Sequence, residues 1–205
     1  MRKLALQMQY TLDGFVGGPN GEVEWAFPNF DDAVTAWIVG HISKTGVHIM
    51  GSRLFHDMIG HWPTATDPYA PPMNTIPKIV FSKKGLDVRK LFNDHLAKAG
   101  KDGSPALVTG GESWADATVA SGDLSEEIKR LKAQSGGEIL AHGGAGFVRA
   151  LIKAGLVDEY RLLIHPIALG DGLSIFRDLP EPLKLTLVSA KTFPTGVAAH
   201  IYRPA

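Results

Sequence analysis

One segment constrains this chain more than any other: Glu138-Ile139-Leu140-Ala141-His142, then Gly143-Gly144-Ala145-Gly146, then Phe147 to Ala154, stopped by Gly155. The apolar run predicts a strand, the small residues a tight turn, and the spacing after them a helix. A turn of this kind exposes several backbone N–H groups at the positive end of a helix, an arrangement that holds phosphate or pyrophosphate. Glycine suits it because a side chain would keep the anion away from the backbone. The alternative at this point is tight strand–helix packing with no ligand. The turn is not the usual dinucleotide fingerprint, since Gly144-x-Gly146 is followed by Arg149 where a third glycine belongs, and no P-loop pattern occurs.

Other apolar runs end in groups that bind anions. Residues 3–10 read as a first strand, and Gly46-Val47-His48-Ile49-Met50-Gly51 as a second that delivers Ser52 and Arg53. Lys78 to Ser82 reads as a third strand, delivering Ser82, Lys83 and Lys84. Ligands of open α/β sheets gather outside the carboxyl ends of the strands. Singly, each of these cations reads as a solvated surface charge; together they fit a phosphorylated nucleotide. Arginine and serine with no acidic residue at these ends favour a 2′-phosphate over a free ribose hydroxyl.

Between these points, Asn29-Phe30-Asp31-Asp32 starts a helix that runs through Trp37 and Ile38 toward His41, and Ser125 to Gln134 has helical spacing. Val157 to Leu169 reads as a long strand broken after Pro166 and turned at Gly170-Asp171-Gly172, and residues 183–190 and 197–202 as a closing antiparallel pair. Gly17-Gly18-Pro19-Asn20-Gly21 is a mobile lid or a hairpin turn. Residues 61–77, rich in proline, read as irregular loop, and 83–122 show little beyond a turn at 100–105. Strands alternating with helices predict a mainly parallel sheet covered on both faces.

At 205 residues, with 44% hydrophobic and 20% charged residues, the chain is expected to form one soluble domain, 1–205. Lysine plus arginine and aspartate plus glutamate both number 21, so no net field draws it to nucleic acid or a membrane. Cysteine is absent, which excludes disulfides and thiolate zinc sites. The N-terminal residues lack the apolar run of a signal peptide, so the expected location is cytoplasmic. His56 and His61 are five apart and would not share a helix face, and no histidine spacing supports a metal site. Hydrolysis is the competing class, because His142-Gly143-Gly144-Ala145 is similar to an esterase oxyanion turn and Gly111-Glu112-Ser113-Trp114-Ala115 approaches a nucleophile elbow. Their order along the chain is the reverse of the esterase order.

Taken together, Thr11-Leu12-Asp13-Gly14-Phe15, Met50-Gly51-Ser52-Arg53, Ile79-Val80-Phe81-Ser82, the His142–Gly146 turn, Ala154 to Tyr160 and Pro166 to Gly172 resemble the dihydrofolate-reductase-like superfamily. They are most similar to the C-terminal reductase domain of bacterial riboflavin-biosynthesis deaminase/reductases. The resemblance implies an α/β fold with a mostly parallel central sheet, an antiparallel C-terminal strand and flanking helices. It also implies NADPH as hydride donor, a small-molecule substrate and a homodimer. By position, Gly51, Ser52, Arg53, Ser82 and Lys83 would surround the 2′-phosphate, and Gly143, Gly144, Ala145, Gly146 and Phe147 the pyrophosphate. Asp13 would orient substrate or relay a proton; on residue chemistry alone, Asp-Gly is also a common turn pair. Trp25 would line the substrate pocket. Two departures stand against folate: the helix position of the folate carboxylate falls near Thr35 rather than Asp31 or Asp32, and Ile164 stands where a pocket threonine belongs. The implied activity is closest to 5-amino-6-(5-phosphoribosylamino)uracil reductase, with dihydrofolate reductase and a non-catalytic nucleotide-binding protein as alternatives.

Overall fold

Residues 4–7 are buried in succession, a pattern that only a strand covered on both faces can carry. The computed structural model describes residues 1–101, 103 and 106–205. In it β1 (Leu4–Thr11) lies inside a sheet that, among the described residues, has eight strands. The others are β2 (Thr45–Gly51), β3 (Lys78–Phe81), β4 (Thr118–Ala120), β5 (Glu138–Ala141), β6 (Glu159–His165), β7 (Leu185–Thr192) and β8 (Ala198–Pro204). Their order is β4-β3-β2-β5-β1-β6-β8-β7. All pairings from β4 to β6 are parallel, and β6–β8 and β7–β8 are antiparallel.

Side chains alternate across β1. Leu4 and Leu6 enter one core, with Ile128 and Leu131 of α5 (Leu124–Ala133) and Val148, Leu151 and Ile152 of α6 (Ala145–Lys153). Ala5 enters the other, with α1 (Asp32–Ile42), α2 (Ser52–His61), α3 (Ala70–Thr75) and α4 (Val88–Lys101). Each fully buried Leu, Ile or Val contributes about 1.5–3 kcal/mol. Local signals set several helix ends. Asp31 accepts the Val34 N–H at 2.7 Å, Asp123 accepts those of Ser125 and Glu126, and Gly155 at φ 63° follows α6.

The structure departs from the sequence reading in four places. Residues 52–60, left unassigned, form most of α2, which buries only Phe55 and Ile59. The stretch 61–77 is not all irregular: Trp62–Thr64 is a 3-10 helix, and α3 carries Pro71 and Pro72 in its first turn, where no N–H is needed. Within 83–122 lie α4, whose apolar stripe is thin (Val88 and Phe92), and the three-residue strand β4. Part of the turn expected over 100–105 lies outside the described residues, and Gly100 and Lys101 close α4. Finally, β6 ends at His165, because Pro166 has no N–H to offer a ladder.

Candidate functional site

Helix α2 leaves β2 onto one face of the sheet and α6 leaves β5 onto the other, although β2 and β5 are neighbours. A crevice must open at the carboxyl ends of two strands that diverge in this way. A cleft of about 680 Å³ occupies it. Its walls are tied together: the Gly51 N–H donates to the Gly143 carbonyl at 3.0 Å and the His142 N–H to that of Ile49 at 3.1 Å. Neither α2 nor α6 has a side-chain N-cap. The N–H groups of Ala145, Gly146 and Phe147 have no intrahelical partner, so the positive end of α6 is left to the cleft.

The residues singled out for a nucleotide all line this cleft: Gly51, Ser52, Arg53, Ser82, Lys83 and the run Gly143 to Phe147. Arg149 joins them. Among the described residues Arg53, Lys83 and Arg149 make no ion pair, and Asp57 is the one carboxylate in the lining. The Ser82 hydroxyl donates to the Gly85 carbonyl at 2.7 Å, shaping the turn that carries Lys83. Phe147 packs its ring 5.0 Å from that of Phe81.

The glycines of the turn differ from one another. Gly143 has φ 131°, and a Cβ there would meet Leu54 at 3.3 Å, so the fold itself requires glycine. Gly144 has an ordinary φ of −73°, and a Cβ on it or on Gly146 would meet nothing within 4 Å. Neither φ nor packing asks for glycine at 144.

The other end of the cleft is built by Met8, Val16, Gly17, Asn20, Gly21, Val23 and Leu173. The first loop is pinned there, because the Val16 N–H donates to Leu173 and the Leu173 N–H to Gly17, at 2.9 and 2.8 Å. Asp13 stands outside the lining. One of its oxygens accepts from the Thr11 hydroxyl at 2.6 Å and the other from the Gly170 N–H at 2.7 Å, and these bonds hold its exposed carboxyl below the usual range. Ile164 is half-buried on β6, opposite Tyr10 of β1, and packs into the core that contains α6. Trp25, in a 3-10 helix over Glu24–Asn29, donates its indole N–H to the Glu22 carbonyl at 2.9 Å and meets the His165 ring nearly at right angles, with centroids 5.4 Å apart.

That histidine belongs to a group the sequence did not reveal. His165 ends β6 beside Thr11, fully buried, with Nε2 2.7 Å from Gln9 Oε1 and Nδ1 3.4 Å from Asn29 Nδ2. Burial holds its imidazole at a pKa of about 4, so it is neutral and its Nε2–H donates to Gln9. Phe30 lies 5.9 Å from its ring and Tyr69 6.3 Å from Phe30, while the Tyr69 hydroxyl donates to Thr35 at 3.0 Å. Gln9 and His165 are 156 positions apart, and no periodicity connects them. His142, half-buried in the cleft lining, and His48, fully buried, lie 2.9 Å apart beside the glycine turn, with His48 also bonded to the Pro72 carbonyl. Burial lowers the pKa of both, that of His142 to about 4. Ser113 lies outside the cleft, bonded to Lys78 and to the Asn74 carbonyl. Among the described residues no group of His, Asp and Glu is gathered as a metal site, and no helix is long and apolar enough to cross a membrane.

Residues 2–199 match the family described as the RibD C-terminal domain. The chain belongs to that family. The chain is 31% identical over 202 residues to the uncharacterized protein YyaP of Bacillus subtilis, covering 98% of this chain and 94% of that one. It is 25% identical over 189 residues to the riboflavin biosynthesis protein RibD of Corynebacterium ammoniagenes, covering 91% of this chain and 49% of that longer protein. A Thermotoga maritima diaminohydroxyphosphoribosylaminopyrimidine deaminase/5-amino-6-(5-phosphoribosylamino)uracil reductase superposes with a TM-score of 0.67 at 17% identity, over 100% of this chain and 57% of that one. The RibD C-terminal domain fold is the dihydrofolate-reductase-like α/β sheet that the sequence landmarks imply.

Proposed function

We propose that this protein is an NADPH-dependent reductase acting on a C=N or C=O bond of a small polar heterocycle. Its chemistry would be that of the 5-amino-6-(5-phosphoribosylamino)uracil reductase to which the fold is similar. The observation that carries the reading is the open space at Gly144 and Gly146, at an uncapped helix terminus, beside Arg53, Lys83 and Arg149. These residues fit a dinucleotide carrying a 2′-phosphate. Gly51, Ser52, Arg53, Ser82 and Lys83 would hold the adenosine end, and the N–H groups of Ala145, Gly146 and Phe147 the pyrophosphate. When bound, the cofactor would supply a hydride, and the protein's part is orientation of the acceptor and exclusion of water. Asp13, its two oxygens engaged, would position the turns Leu12–Gly14 and Gly170–Gly172 at the mouth and stay deprotonated while doing so.

Trp25 would lie on the substrate side. Dihydrofolate is disfavoured, because Thr35 is engaged by Tyr69 and Ile164 is apolar, which leaves a pterin ring poorly paired. A homodimer on an exposed sheet edge completes the reading: every residue of β7 after Leu185 is exposed. Fluorescence titration with NADPH and NADH, followed by NADPH oxidation with aminopyrimidine and pteridine acceptors, tests the proposal. NADPH binding tighter than NADH, with turnover of one acceptor, is expected; no NADPH binding overturns it.

A further inference from the structure

The cations of the molecule are distributed unevenly about the cleft. Arg53, Lys83 and Arg149 stand at the end where α2, β3 and α6 meet. Past the glycine turn, the cleft lining of Met8, Val16, Gly17, Asn20, Gly21, Val23 and Leu173 holds no cation. Residues 4–43, 54–77 and 162–176, which carry β1, the first loop, α1, α2 after Arg53, the segment that follows it and the end of β6, contain no lysine or arginine, and the first of these stretches holds five carboxylates. His165, at the end of β6 beside Gln9, is buried and neutral. A phosphate dianion there would find no cationic partner in these stretches, whose own charge is negative and repels it.

Neutral groups are available instead. With His165 Nε2–H bonded to Gln9 Oε1 and Asn29 Nδ2 directed at His165 Nδ1, the Gln9 amide NH₂ and the Asn29 amide oxygen have no partner among the described residues. One donor and one acceptor then stand beside the rings of Trp25 and Phe30, both packed against the same histidine. Such a set matches the edge of a flat ring with adjacent carbonyl and N–H groups.

Resting on the reductase reading above, we propose that the substrate is a neutral planar heterocycle with an amide edge and no phosphate group, read by Gln9 and Asn29. This departs from the phosphoribosyl substrate in the name of the Thermotoga protein. The test uses 5-amino-6-ribosylaminouracil and its 5-phosphate as a matched pair, with ribose 5-phosphate as the anion probe, titrated calorimetrically into protein saturated with NADP⁺. The neutral member is expected to bind at least about tenfold more tightly than its phosphate ester, and to lose about tenfold in Gln9→Leu. Ribose 5-phosphate is expected to give no saturable binding below roughly 10 mM. Tighter binding of the phosphate ester, saturable ribose 5-phosphate binding below about 1 mM, or binding by neither ring compound would overturn the inference while leaving the cofactor reading intact. Failure of the unmodified protein to bind NADP⁺ would overturn both, and the first titration separates the two cases.

Discussion

A Cβ built on Gly51 would stand 3.0 Å from the Cβ of Phe147, so the end of β2 and the first turn of α6 touch without room for one more carbon. That contact sets the width of the cleft at the glycine turn. Gly51→Ala is expected to push α6 away, costing about 1–3 kcal/mol of stability and weakening NADPH binding together. Thermal unfolding and cofactor titration of the same preparation check it. An unchanged Tm would show that the contact is slack.

Gly144→Val should behave in the opposite way. Its Cβ meets no protein atom and its φ is ordinary, so the fold should lose no more than about 1 kcal/mol, or roughly 2–4 °C at this chain size. NADPH binding should be abolished, because the branched side chain occupies the space assigned to pyrophosphate. A variant that stays folded and binds NADPH like the parent would make the turn purely structural.

Arg53→Ala is expected to weaken NADPH by about tenfold or more and to leave NADH unchanged, since charge-assisted bonds contribute about 1.5–3 kcal/mol and Arg53 is exposed. Equal losses for the two cofactors would place the 2′-phosphate elsewhere.

At the opposite end of the sheet, burial pushes the Glu159 carboxyl up, but hydrogen bonds from Lys3, Arg161 and Arg203 outweigh it and hold the pKa at about 2. A depressed folded-state value contributes stability above the unfolded pKa of about 4.3 and loses it as pH falls through the folded one. Unfolding free energy should therefore drop by about 2 kcal/mol between roughly pH 4.5 and pH 2 from this group alone. Denaturant melts across that range should show a shallower decline in Glu159→Gln, which is already destabilised at neutral pH by leaving Arg161 with one carboxylate fewer.

What the sequence by itself determined is local. The strand–glycine–helix unit at 138–154, the caps at Asp31 and Asp123, and the ends of β2 and β3 are each written in a few consecutive residues, because turn conformation, capping and side-chain alternation act over that range. Helix α2 and helix α4 escaped it, since each buries only two residues and tertiary contact supplies most of a helix's stability. Tertiary structure alone decided that Ser52, Ser82 and Gly144 share one cleft, through the order β3-β2-β5 in the sheet. It also decided that Asp13 accepts the Gly170 N–H and that Gln9, Asn29 and His165 meet. Asp13, Gln9 and Asn29 thereby meet residues more than a hundred positions away, and the free energy that selects these encounters is burial summed over two whole faces of the sheet, to which no single segment holds the key.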